Sequence, residues 1–226
     1  MNDSKARFYD TIADDFDALS NQYDTRRRLE IVFDELLADV DLAGRSLLDV
    51  GCGSGQFSQW AAARGARVTS LDIGVRLLAE ARRRSRSRPV AADACRLPFP
   101  SNAFDIVVSS ECIEHTTAPK EALREIHRVT RPGGLLVVTV PNQVWHFAIT
   151  IANTLKLRPF HGYENWLRWH ELRDELQQCG TTIERLHGFH LVPPVVTLMQ
   201  PMLRRIDRYG RTLGPVMLNL AVRGRK

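Results

Sequence analysis

Ser46-Leu47-Leu48-Asp49-Val50 followed by Gly51-Cys52-Gly53-Ser54-Gly55 is the stretch on which the fold turns. A short apolar run that ends in glycines reads as a buried strand. The glycines permit a tight turn and let a ligand approach the main chain. Residues 56–64 then have helical character and stop at Gly65, a C-cap position. Strand, glycine loop and helix in this order open a parallel α/β sheet, whose ligands bind beyond the carboxyl ends of the strands.

The same rhythm continues downstream. Residues 66–71 read as a strand ending at Asp72, 75–84 as a helix, 89–92 as a strand ending at Asp93, and 104–109 as a further strand. Residues 119–129 form a helix with Ala122, Leu123, Ile126 and Val129 inward, and 131–134 (Arg-Pro-Gly-Gly) break it and turn into a strand over 135–140. A helix over 171–179 and strands over 181–190 and 217–222 complete the pattern. Alternating strands and helices predict an α/β sheet with helices on both faces. The first 40 residues read as a helical cap of two helices, split near Asn21 and carrying Phe8, Tyr9, Phe16 and Tyr23. Residues 144–157 are mostly apolar and read as a helix, within an insertion or lid spanning 143–167. The expectation is one domain over 1–226: cap 1–40, ligand-binding core 45–142, insertion 143–167 and a C-terminal sheet half 168–226.

Composition excludes several classes. The 226 residues are 44% hydrophobic and 25% charged, enough to bury a full core without disulfides. No stretch of about 20 uninterrupted apolar residues is present, which argues against a membrane-spanning helix. The N-terminus lacks the apolar core of a secretory signal, and the four cysteines form no CxxC or zinc spacing, so a cytoplasmic protein with reduced thiols is expected. The net charge of +5 concentrates in ARRRSRSR at 81–88 and in the terminal RGRK. No aromatic residues interleave these arginines as a nucleic-acid stacking platform requires, so the run reads as the solvated end of a helix.

Asp72 follows Gly51 by 21 residues, where a carboxylate accepts hydrogen bonds from ribose hydroxyls. Gln56 stands at the third glycine of the dinucleotide fingerprint, and the P-loop lysine is absent. These features favour a nucleoside ligand over a pyrophosphate or NAD.

Taken together, LLDVGCGSG, LDIG, the acidic residue in AADACRLPF, FDIVVSSECIEH and RPGGLLVVTVPN resemble a class I S-adenosylmethionine (SAM)-dependent methyltransferase over about 45–142. The resemblance implies a Rossmann-like seven-stranded sheet with its last strand antiparallel, with SAM as cofactor and S-adenosylhomocysteine (SAH) as product. It places Asp49, Gly51, Cys52, Gly53 and Gly55 under the methionine part, Asp72 with Ile73 at the ribose, Asp93 and Ala94 at the adenine edge, and Ser110 near the sulfur. GARVTSLDIG, ECIEH and the hydrophobic insertion after VPN are most similar to ubiquinone-biosynthesis-type O-methyltransferases. That likeness implies an arginine on the SAM carboxylate, matched by Arg28, and a divalent cation, here Mg²⁺, at Glu111, Glu114 and His115.

A phenol must lose its proton near neutral pH. Either His115 acts as general base, or a cation held by Glu111 and Glu114 stabilises the phenolate. Tyr9 and Tyr23 either close over SAM or pack within the cap, and His146, His161 and His170 read as surface or capping residues. The expected function is O-methylation of a small phenolic, lipid-linked or natural-product hydroxyl. N- or C-methylation of a small molecule and a SAM-binding module without catalysis are the alternatives. SSEC stands where nucleic-acid amino-methyltransferases carry a [DNS]-P-P-[YF] tetrad, so no nucleic-acid partner is expected. The segment 144–157 reads as core helix, lid or peripheral membrane contact.

Overall fold

Leu48, Val50, Val107, Leu136 and Val138 are wholly buried, and so are Leu47, Ile106, Val108 and Val137, which alternate with them along the strands. Both faces of such strands must be covered, which is why the sequence shows continuous apolar runs instead of alternation. The computed structural model describes residues 3–147, 164–192 and 200–226. Its strands are β1 (Ser46–Val50), β2 (Arg67–Asp72), β3 (Arg88–Ala91), β4 (Phe104–Ser110), β5 (Thr130–Pro141), β6 (Thr182–Phe189) and β7 (Asn219–Arg225). They form one seven-stranded sheet in the order β3-β2-β1-β4-β5-β7-β6. The β1–β2, β1–β4, β2–β3 and β4–β5 pairs are parallel, and β7 runs antiparallel between β5 and β6.

On one face, Leu48, Val107, Val138 and Val222 meet Leu123 and Ile126 of α6 (Pro119–Val129) and Leu172 and Leu176 of α7 (Trp169–Gln178). On the other, Leu47, Ile106, Val137 and Ala221 meet Ala61 of α4 (Gln56–Ala63). Ile31, Val32, Phe33 and Leu36 join that face from the π-helical turns Glu30–Leu36, which prolong α3 (Gln22–Leu29). Helix α5 (Val75–Ser85) inserts Leu77, Leu78 and Ala81 beside the glycine loop.

Where two helices were expected over the first 40 residues, three short helices and a π-helical stretch are found. Helices α1 (Asp3–Thr11) and α2 (Phe16–Leu19) precede α3, and Asn21 caps α3 by accepting the Asp24 N–H at 3.2 Å. Two boundaries differ from those expected by more than two residues. The strand expected over 217–222 runs on through Arg225, and Arg223 in the basic tail is buried. It donates to the Leu36 carbonyl at 2.7 Å and pairs with Glu184 at 2.7 Å and with Asp39. Partnered charge therefore sits inside the sheet, which the polarity of the tail conceals. The Arg131–Gly134 turn is drawn into β5: pairing with β4 skips from Thr130 to Leu135, and Gly133 donates to the Lys226 carbonyl at 2.7 Å.

Of the helix expected over 144–157, residues 148–157 lie outside the described residues, as does His161; Gln143–Trp145 form a 3₁₀ turn. Among the described residues no helix is long and apolar enough to cross a membrane.

Asp105 fastens three strand starts together. Its Oδ2 accepts from the Ser46 N–H at 2.8 Å and hydroxyl at 2.6 Å, and its Oδ1 from Arg131 at 2.7 Å. Burial pushes this carboxyl up, but Ser46 and Arg131 outweigh it and hold the pKa at about 2. A depressed pKa adds stability above the unfolded value of about 4, and that stability is lost as pH falls through about 2. Thermal melts from about pH 5 down to about pH 2 should therefore show a steeper loss for the native protein than for Asp105→Asn. Parallel curves would remove Asp105 from the acid response.

Candidate active site

The loop after β1 leaves room at its glycines, and two of the rooms are filled by other parts of the chain. Gly51 has φ +73°, and a Cβ there would lie 2.2 Å from Cys112 Sγ, which follows β4. Gly53 has φ +51°, and a Cβ there would lie 2.8 Å from the Phe16 ring of the cap. A side chain at either position would push apart the elements that enclose the site. The Gly51 and Cys52 amides both donate to the Leu71 carbonyl, at 2.8 and 2.9 Å. Asp72 completes the join between the β1 and β2 ends: its Oδ2 accepts from the Gly53 amide and its Oδ1 from the Gly74 amide, each at 2.9 Å.

These elements enclose a cavity of about 530 Å³ at the carboxyl ends of the strands, a size that suits a nucleoside-bearing ligand. Its walls contain Gly51, Cys52 and Gly53 from the first loop and Asp72 and Ile73 from the second. Asp93, Ala94 and Ser110 follow from the ends of the next strands, and Tyr9 and Arg28 from the cap. Glu111, Glu114 and His115 also line it. Asp49 and Gly55 do not: Gly55 backs onto Ala81 of α5, and Asp49 turns beneath the loop. There its Oδ2 accepts from Ser58 at 2.6 Å, and Ser58 meets Ser70, which meets Ser87, a buried chain of hydroxyls. Asp93 Oδ1 accepts from the Cys95 amide at 2.9 Å, so it shapes its own turn while facing the cavity. Ser110 shares a hydrogen bond with Thr139 at 2.8 Å.

The cap is tied down by charge. Asp17 accepts from Ser54 at 2.5 Å, Gln56 at 3.1 Å and Arg84 at 2.7 Å. Burial raises the Asp17 pKa, but these partners outweigh it and hold it below the usual carboxylate range. Arg76 reaches the Asp10 carbonyl at 2.9 Å and the Asp14 carboxylate at 2.7 Å. Arg84 was legible only as part of a solvated basic run; the structure makes it a clasp. Phe16 was legible only as a cap aromatic and Cys112 only within ECIEH, and Asp17 carried no signal, because each meets a partner far away in the chain. Tyr9 stays a neutral phenol, its pKa raised by burial and by the nearby Cys112, Asp72 and Glu114.

Arg28 is the cation of the inner wall. Its guanidinium lies 2.9 Å from Asp24 Oδ2, and its pKa is raised by Asp24, Glu111 and Glu114 against the effect of burial. Glu111 has a left-handed backbone, φ +51°, a strained conformation for a non-glycine residue. Its Oε1 accepts from Thr139 at 3.3 Å, and burial pushes its carboxyl to about 7. His115 Nε2 lies 3.9 Å from Glu114 Oε1. The expected Mg²⁺ set does not form. Among the described residues no three His, Cys, Asp or Glu side chains gather as a metal site, and Arg28 supplies the positive charge that both carboxylates face.

A methyltransferase-domain family matches residues 48–138, which carry the glycine loop, Asp72 and Glu111. A ubiquinone biosynthesis O-methyltransferase of Pseudomonas aeruginosa is 32% identical over 164 residues, 67% of this chain and 71% of that protein. An S-adenosylmethionine-dependent methyltransferase from Mesorhizobium loti superposes with a TM-score of 0.65 at 20% identity, covering 88% of this chain and 98% of that one. The chain belongs to the SAM-dependent methyltransferases. A ubiquinone biosynthesis O-methyltransferase of Marinobacter nauticus is 31% identical to this methyltransferase over 182 residues, 74% of the chain and 76% of that protein.

Asp49 and Glu111 give the methyltransferase a pH signature. Burial, with Asp72 adding to it, raises the Asp49 pKa to about 7 against the pull of Ser58. A carboxyl raised in the folded state adds stability below its unfolded value, about 4, and that contribution is lost as pH rises through about 7. Urea midpoints of the ligand-free methyltransferase should fall between about pH 5 and about pH 7.5, and Asp49→Asn should flatten that slope. An unchanged slope in Asp49→Asn would dissociate Asp49 from it.

Proposed function

We propose that this methyltransferase transfers the SAM methyl group to a hydroxyl oxygen of a small phenolic, lipid-linked or natural-product acceptor. The observation that carries the SAM site is Asp72, whose two oxygens are pinned by the amides of both loops at the cavity wall. The O-acceptor rests on the activity named for relatives about one-third identical over two-thirds of the chain. SAM supplies an electrophilic methyl on a sulfonium. Each pinned Asp72 oxygen has a further lone pair with which to accept from a ribose hydroxyl. Asp93 and Ala94 take the adenine edge, the glycine loop underlies the methionine part, and Arg28 receives its carboxylate by charge-assisted hydrogen bonds. Ser110 stands near the sulfur, and Tyr9 and the clasped cap exclude water.

Orientation and desolvation supply most of the rate enhancement in such a transfer. The acceptor proton goes to His115, a cavity-lining imidazole about one-quarter exposed, with Glu114 at 3.9 Å to orient it. An apolar tail on the acceptor is supported by the exposed Val144 and Phe147, the latter stacked on Trp145 with ring centroids 5.8 Å apart. These residues begin the segment for which an interfacial membrane contact is proposed.

Calorimetry with SAM should show Asp72→Ala weakened by at least about tenfold, ~1.4 kcal/mol, and unchanged affinity would refute the ribose assignment. Methyl-labelled SAM offered with an alkylated catechol and with the matching aniline should label the catechol oxygen. Label on the aniline alone would move the reading to N-methylation.

A further inference from the structure

Arg28 faces three carboxylates, those of Asp24, Glu111 and Glu114, yet its close contact is with Asp24 at 2.9 Å. What commits it to Asp24 lies behind, at the far end of the sheet. Asp24 Oδ1 is met by His190 Nδ1 at 3.2 Å and by Asn219 Nδ2 at 3.5 Å, while Oδ2 is left to Arg28. The two oxygens are thus divided between the cavity and the β6–β7 end, and the carboxylate has no freedom to rotate.

His190 is held in place at some cost. It is fully buried, its backbone is left-handed at φ +56°, and its Nε2 has no hydrogen-bond partner among the described residues. Its own amide donates to Asp207 Oδ1 at 2.8 Å, and Asp207 is fixed in turn by Arg27 at 2.9 Å. The ring stacks on Tyr23, centroids 5.6 Å apart, and meets the edge of Phe189. An apolar residue would fill this space without burying a bare ring nitrogen. A strained, buried polar residue is retained where the surrounding structure needs its polar atom, and here that atom faces Asp24. The contact lacks the alignment of a straight hydrogen bond, so the ring nitrogen acts on the carboxylate by electrostatic attraction across 3.2 Å.

We propose that His190 is a positioning residue that, through Asp24, holds the Arg28 guanidinium where it receives the carboxylate of the amino-acid part of SAM. Without it Oδ1 keeps only the long contact with Asn219, Asp24 is held less firmly, and Glu111 and Glu114 compete for the guanidinium. The proposal rests on the assignment of Arg28 to the SAM carboxylate, and the test separates the two.

Two ligands distinguish positioning from a general loss of structure: SAH, which carries the amino-acid carboxylate, and 5′-methylthioadenosine, which lacks it. Calorimetry on His190→Gly, which keeps the left-handed backbone but loses the ring, should show SAH weakened at least about fivefold and methylthioadenosine within about twofold. His190→Asn tolerates the same backbone and returns an amide N–H toward Asp24, so SAH affinity should come back to within about twofold of the native protein. Asp24→Asn, which keeps shape and removes the charge, should repeat the selective loss and serves if His190→Gly does not fold. Equal weakening of both ligands in His190→Gly and Asp24→Asn, or no weakening of either, would overturn the proposal. Arg28→Gln settles its foundation. If it leaves SAH affinity unchanged, the Arg28 assignment falls and the proposal with it; if it weakens SAH while the His190 and Asp24 variants do not, only the proposal falls.

Discussion

The carboxylate of Asp72 is the constraint on which the site depends. It ends one strand, yet it accepts the amide of a loop that ends another, and it does so within the wall of the cavity. A β-strand end has no regular ladder to fix the residues beyond it, so the loops after β1 and β2 would otherwise be set only by their own turns. Charge-assisted bonds to Gly53 and Gly74 join the two loops into one rim. The positive φ at Gly51 and Gly53 then acquires a purpose, because it lets Cys112 and Phe16 close against the rim from either side.

The cap is attached by a different chemistry. Its apolar contribution at the site is Phe8, Tyr9, Ile12, Phe16 and Leu19, whereas its attachment runs through Asp17 and Arg84 and through Arg76 to Asp10 and Asp14. Asp14 is largely exposed, so its pair with Arg76 stabilises weakly. Asp17 is better sheltered and shared among three donors, one of them Gln56. Gln56 thus breaks the dinucleotide pattern in the sequence and, in the structure, fastens the cap to the loop that bears it.

Much of this was legible before the structure. The five parallel strands, the antiparallel last strand and α6 with its inward residues were placed by apolar runs, glycine punctuation and family likeness, and Asp72 by its distance from Gly51. What stayed hidden shares one physical cause. Arg84, Arg223 and Asp17 are charged, and charge reads as surface until a distant partner is known. His190 is invisible for the same reason, since its partner Asp24 lies more than 160 positions earlier in the chain. For Glu111, Glu114 and His115 the family likeness implied a metal; among the described residues they do not gather as a metal site, and the positive charge that acts on both carboxylates is Arg28, which the motif itself does not reveal.

The order of the strands also bears on how the chain is made. β6 touches the sheet only through β7, which comes after it in the sequence. A nascent chain translated as far as β6 therefore has nowhere to dock that strand, and the outer edge of β5, Leu135–Pro141, stays unpaired until β7 emerges. An apolar edge with open amides invites pairing with other chains. The native protein closes that edge only by a contact between segments far apart in sequence, the slowest kind to form. The interval between translating β5 and β7 is when this protein is most exposed to aggregation, and when a chaperone would have most to protect.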